Sequence, residues 1–415
     1  MLAVFAKHIT PRLIYVLDFC FKEKGYDYVI VANEEDWTAN EESTLNYSDL
    51  QLDCDYAIEP LGLLTENTID PLLKLEKISN KLALRGDTDP LSVIFYILSR
   101  YEEYQPHEKD VHGRFTAEQS SQKILNVLKD PVCDQIVQKL WRKLGLNYQD
   151  VKERFELVPS FDIDVAWAYK HRPFWRKVGA FSKGKITERI AVLLKKRKDP
   201  YDTYGKIMEV SSKLERIISF APVSDYGKWD KNISHKNEAY RSLIRGLNSS
   251  GGMGLHPGYQ SHLHPEIIKE EKRRIEEILG HEMNKSRFHF LRMELPKSYQ
   301  VMISLGFNKD YSMGYADHIG FRAGTSFPFH FFDLEKNKAY DYLIFPFAYL
   351  DSAFKDYMKL SPEEALEEVE ELMLKVKDVG GLFMCIWHNH SINDKGEWEN
   401  WAQVLDKTVE WGREA

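Results

Sequence analysis

Short apolar runs recur through the later part of the chain, over 155–161, 216–223, 252–255, 288–293, 342–349 and 382–387, separated by longer polar or helical stretches. That spacing predicts βα units assembled into a parallel sheet or barrel. Each run finishes in polar chemistry: Asp162 with Asp164, Ser224-Asp225-Tyr226-Gly227, His256-Pro257-Gly258, Arg292, Asp351, and His388-Asn389-His390. In parallel α/β barrels the βα loops converge at the carboxyl ends of the strands, so six such ends form one expected mouth.

Before residue 150 the pattern is mixed. Apolar positions at helical spacing predict a helix over 13–21, 26–31 reads as a short strand, and Asp89-Pro90 opens a helix through Leu98. A further helix over 131–144 stops at Gly145. No metal-ligand or nucleophile spacing stands out there, and His107 and His112 read as surface loop residues. A chain of 415 residues with 43% hydrophobic content suits two domains rather than one. The expected division is 1–150, a smaller α/β accessory domain, and 151–415, a catalytic α/β domain.

Charge and cysteine usage narrow the class. A net charge of −8 argues against a dedicated nucleic-acid binder. Four widely spaced cysteines, with no C-x-x-C pair, suggest reduced thiols. The opening residues show no basic leader followed by a cleavage site, and no run approaches the roughly 20 apolar residues of a membrane span. The expected location is the cytoplasm. One segment, 170–198, carries eleven Lys or Arg against the single acid Glu188. Its later part is amphipathic enough to lie on an anionic membrane surface or to contact a lipid-linked glycan, but a solvated helix inserted after the first strand is the preferred reading.

The densest chemistry follows the run at 155–161. Asp162 and Asp164 lie two apart, so in extended chain they share a face and repel unless a cation or an Arg neutralises one. Asp164 could instead cap a following helix. Together with His256 and His388, however, the pair suits metal-assisted hydrolysis. A carboxylate and imidazoles can hold a divalent ion such as zinc with an open position for water. A second carboxylate then serves as base and a separate His as acid, as an amide needs if its nitrogen is to leave.

The motifs F-D-I-D (161–164), G-L-H-P-G-Y (254–259), H-F-L-R-M-E-L-P (289–296) and I-W-H-N (386–389) resemble, in order, those of the polysaccharide deacetylase family, carbohydrate esterase family four. S-R-Y-E-E-Y (99–104) and H-G-R-F (112–115) resemble a bacterial subgroup with an N-terminal accessory domain. The resemblance implies a distorted (β/α) barrel that removes acetyl groups from N-acetylated sugars with a divalent metal, zinc being the expected ion. It implies Asp162 as base, Asp164 and His256 as ligands, Arg292 as the arginine orienting the base, and His388 as acid. The usual second motif has two histidines four apart, but Gln260 stands four after His256. The third ligand is expected to be His289, with His262 the alternate, since a strand places a ligand more rigidly than a loop.

Other groups carry weaker expectations. Arg322, within the glycine-rich 320–325, could approach an anionic or polyhydroxyl substrate, and Asp225 could line the mouth. Tyr259 and Trp387 could stack on sugar rings. The partner expected is a carbohydrate, free or linked to a lipid or nucleotide. Two alternatives remain: a C–N hydrolase acting on a non-sugar amide or ureide, and a barrel that only binds carbohydrate.

Overall fold

The computed structural model describes residues 1–37, 43–172 and 183–414. The first 150 residues fold around a four-stranded parallel sheet in the order β2-β1-β3-β4, formed by β1 (Leu2–Phe5), β2 (Tyr28–Val31), β3 (Ser43–Tyr47) and β4 (Tyr56–Ile58). A hairpin of β5 (Leu75–Ile78) and β6 (Lys81–Leu84) follows.

Helices start where the local chemistry dictates. In α1 (Pro11–Cys20) the Thr10 hydroxyl accepts from Leu13 N, and in α2 (Pro90–Leu98) Asp89 accepts from Leu91 N and Ser92 N. Both have Pro at the first helical position, where a missing N–H costs nothing. Eight of the nine residues of α2 are buried, so it is a central helix rather than an amphipathic cover. The expected helix at 131–144 is α3 (Val132–Lys143).

From residue 156 a nine-stranded sheet takes over. Its strands are β7 (Glu156–Asp162), β8 (Ile218–Ala221), β9 (Met253–Leu255), β10 (Lys285–Ser286), β11 (Lys309–Met313), β12 (Phe329–Asp333), β13 (Lys338–Pro346), β14 (Tyr349–Leu350) and β15 (Leu382–His388). They run in the order β12-β13-β11-β10-β9-β8-β7-β15-β14, and every pairing is parallel except β12 with β13. The mixed α/β class and the dominant parallel sheet agree with expectation, but no hydrogen-bonded pairing among the described residues joins β12 to β14, so the sheet keeps two edges.

Two sequence expectations need correction. The apolar run 288–293 is not a strand: β10 stops at Ser286, and His289–Leu291 form a 3₁₀ turn in which Phe290 and Leu291 take φ of 59° and 53°. Arg322 does not face a substrate. It is buried against the first half of the chain, donating to both carboxylate oxygens of Glu103 (2.9 and 2.5 Å), while Arg100 donates to Glu103 Oε1 (2.8 Å) and to the Arg322 carbonyl. Gly320, at φ 116°, leaves no room for a Cβ beside the Leu128 backbone. The residues that look like a substrate loop therefore lock the two halves together, and the apolar core runs across both without a break.

The basic segment 170–198 lies outside the described residues over 173–182. The described part includes a helix, Lys183–Leu193, and Ile190, Leu193 and Leu194 are exposed. No helix among the described residues is long and apolar enough to cross a membrane.

Candidate active site

Asp162 is the last residue of β7, paired in register with His388 at the end of β15. Both strands are almost wholly buried, so their carboxyl ends are held rigidly. β9 delivers His256 one residue past its end, and β10 delivers His289 three residues past its own. These side chains line a cavity of about 310 Å³ together with Asp164, Arg114, Phe290, Tyr357 and His390.

Asp164 is the centre. His256 Nε2 lies 3.2 Å from its Oδ1, and His289 Nε2 and His388 Nε2 lie 3.3 and 3.5 Å from its Oδ2. Each imidazole is oriented through its other nitrogen. His256 Nδ1 donates to the Arg287 carbonyl (2.6 Å), His289 Nδ1 to Asp230 Oδ1 (2.9 Å) and His388 Nδ1 to Asp351 Oδ1 (2.8 Å). All three partners are acceptors, so Nδ1 carries the proton and Nε2 turns to the cavity.

The shifts follow from this packing. Burial opposes ionisation of Asp164, yet His289, His256 and His388 hold it well below the usual carboxylate range. Burial would lower both His289 and His388, but Asp164 and Asp230 raise the first to about 9, and Asp351 with Asp164 raises the second to about 10. His390, beside them, is lowered by burial and by the neighbouring His388.

Asp164, His256 and His289 fit a divalent ion. Their donor atoms lie within 4.8 Å of one another, and Asp164 Oδ1 is buried without a hydrogen-bond donor of its own. One carboxylate with two imidazoles, each imidazole backed by a hydrogen-bond acceptor, is the donor set of hydrolytic zinc sites.

The remaining sequence candidates divide sharply. Asp162 is neutralised as anticipated, but by Arg287 rather than Arg292. Arg287 is fully buried and donates from Nη1 to Asp162 Oδ1 (2.8 Å), from Nη2 to Ser160 Oγ (2.8 Å) and from Nε to the Tyr311 carbonyl (2.9 Å). Arg292 instead donates to the carbonyls of His112 and Tyr259, because the turn at 289–291 rotates the chain away from β7. His262 sits in the turn Ser261–Leu263, outside the donor cluster, with Nδ1 unpartnered. Trp387 is a core residue whose indole donates to Tyr349 Oη, since successive β15 residues face opposite sides of the sheet. Asp225 is exposed and paired with Arg274 (3.0 Å). Tyr259 is buried beside Trp229, with its hydroxyl against His112 Nδ1 (3.0 Å), and does not line the cavity. His112 is accordingly no free surface residue; its ring packs on Trp229, Tyr259 and Phe290.

Sequence reasoning passed over Arg287 and gave Asp351 and Asp230 no definite role. For Arg287 a signal existed: Arg287 and His289 alternate with Phe288 and Phe290, a period of two that puts the polar pair on one face. Asp230 lies in an irregular loop and has no such signature.

Three solved structures show limited likeness. A Mycobacterium smegmatis protein assigned as a polysaccharide deacetylase matches with a TM-score of 0.42 and 12% identity over 63% of this chain and 84% of its own. Puue allantoinase gives 0.41 and 13%, over 64% and 86%. A Pseudomonas aeruginosa PAO1 protein assigned as a polysaccharide deacetylase gives 0.40 and 13%, over 63% and 86%. No curated protein matches the sequence. Residues 2–149 match the model of a family of unknown function (DUF7033), which leaves Asp162, Asp164, His256, His289 and His388 outside the matched region.

Proposed function

We propose that the protein is a metal-dependent C–N hydrolase that removes an acetyl group from an N-acetylated saccharide. The observation that carries this reading is the pairing of two separately supported groups beside the Asp164–His256–His289 donor set: Asp162 on Arg287, and His388 on Asp351.

Bound there, a divalent ion supplies positive charge that polarises an amide carbonyl and lowers the pKa of water toward neutrality. Asp162 takes the proton of the attacking water as the oxygen–carbon bond forms. Its Oδ1 is occupied by Arg287, and its Oδ2, 3.9 Å from His256 Nε2, is the oxygen turned to the donor cluster. Arg287 donates to the carboxylate and fixes its plane. His388 gives the proton from Nε2 to the amide nitrogen as the carbon–nitrogen bond breaks. Asp351 accepts the hydrogen bond from Nδ1 and stabilises the imidazolium until transfer, and Ser391 Oγ donates to Asp351 in turn.

A protein that only bound carbohydrate would have no use for an oriented imidazolium beside a carboxylate base. The test is acetate release from a panel of N-acetylated sugars by zinc-loaded protein, run beside a simple amide and a ureide. Acetate release that disappears in Asp162→Asn, with zinc content retained, supports the reading. Turnover of the ureide or amide alone moves the substrate class, and no turnover of any member contradicts the hydrolase assignment.

A further inference from the structure

We infer that the first half of the chain supplies a clamp that sets the metal-ligand turn, with Arg114 as the positioning residue for His289. This rests on the reading of Asp164, His256 and His289 as a metal site. His289 is followed by two residues with Cβ atoms at positive φ, Phe290 and Leu291. Left-handed backbone is strained for a residue with a Cβ, and it persists where the surroundings over-determine it.

Within its own segment the turn has two closures, Leu291 N to the Phe288 carbonyl (2.9 Å) and Arg292 N to the His289 carbonyl (3.2 Å). The Phe290 carbonyl, at the left-handed residue itself, accepts from Arg114 Nη1 at 3.0 Å, across 176 positions of sequence. Arg114 is fixed in its turn by Asp110 Oδ2 on Nε (2.7 Å) and by Tyr357 Oη on Nη2 (3.2 Å). The contact is reciprocated. Arg292 Nε donates to the His112 carbonyl at 2.8 Å, Lys109 pairs with Glu294 at 2.5 Å, and the His112 ring lies 5.1 Å from that of Phe290. Each arginine thus donates to a carbonyl of the loop that carries the other, and both loops border the cavity that holds the donor cluster.

Removing a hydrogen-bond partner of a metal ligand typically changes metal affinity about 10–100-fold, and Arg114, which holds the carbonyl next to His289 rather than His289 itself, belongs at the lower end of that range. The experiment is a zinc titration in competition with a chromophoric chelator, on full-length wild type, Arg114→Lys, Phe290→Gly and the double variant. Arg114→Lys keeps a charge opposite Asp110 but loses the planar fork, and its zinc affinity is expected to fall about tenfold or more. Phe290→Gly makes positive φ accessible without a Cβ penalty, so in that background Arg114→Lys is expected to cost clearly less. Unfolding of the metal-free proteins is followed alongside by circular dichroism. Unchanged zinc affinity in Arg114→Lys with lowered stability, or an equal affinity loss in both backgrounds, overturns the inference. A wild type that binds no zinc overturns the site reading as well, and so separates the two failures.

Discussion

At the scale of single residues, the candidate site separates into groups the sequence announces and groups that emerge only from packing. Asp162, Asp164, His256 and His388 stand at the ends of apolar runs, and the structure brings all four to one cavity. The motif contains Arg292 and not Arg287, and which of the two reaches β7 depends on the turn of left-handed residues at Phe290 and Leu291. Two predictions belong here. Asp351, with Asp164, raises His388 to about 10 against the effect of burial, so the acid form persists through neutral pH and is lost as pH rises. Asp351→Asn removes the negative charge and is expected to move the alkaline limb of the pH–rate profile downward, with rate falling toward the 10²–10⁴-fold cost typical of a lost general acid. An unmoved limb would assign the acid to another group. Arg287→Lys preserves charge but gives up the three-point hold on Asp162, Ser160 and the Tyr311 carbonyl. Turnover is expected to drop more in Arg287→Lys than in Arg292→Lys, measured at equal metal content.

At the scale of elements, periodicity located most of what it could. The helices near 13–21, 89–98 and 131–144 are present within a few residues, as are the strands carrying Asp162 and His388. β11 escaped because its buried positions include Asp310 and Ser312, which bond each other and Tyr299 rather than reading as apolar. The strand β9 illustrates how tightly such elements are set: a Cβ on Gly254 would lie 2.5 Å from Phe220 Cδ1. Gly254→Ala is expected to destabilise by about 1–3 kcal/mol through overpacking, read from denaturant midpoints. Glu271, buried beneath the His256 loop, offers a pH test. Burial raises it to about 7, while it accepts from Ser261 Oγ and Gly258 N. Between about 4.5 and 7 the unfolded chain has lost this proton while the folded chain keeps it, so this group lowers stability as pH rises through that window. Glu271→Gln should flatten that part of the stability profile; an unchanged slope would show that the carboxyl ionises normally.

At the scale of the whole molecule, length and composition suited two domains, and the spacing of apolar runs an α/β class, but neither says how the parts join. We propose that the boundary near residue 150 marks a change of sheet rather than a gap in the core. Arg100, Glu103 and Arg322 form a buried network across it. Removing one partner of such a network leaves an unpaired buried charge, so Glu103→Gln is expected to cost roughly 3–5 kcal/mol, with wild type unfolding in one cooperative transition. Two separate transitions would argue that the halves are independent.

The central claim is that Asp164, His256 and His289 form a metal site, and the most direct measurement is the zinc content of purified, zinc-equilibrated and desalted protein. One equivalent per chain in wild type and none in a folded Asp164→Ala variant is the predicted result. A full equivalent retained by Asp164→Ala, or no zinc bound by wild type, would contradict it.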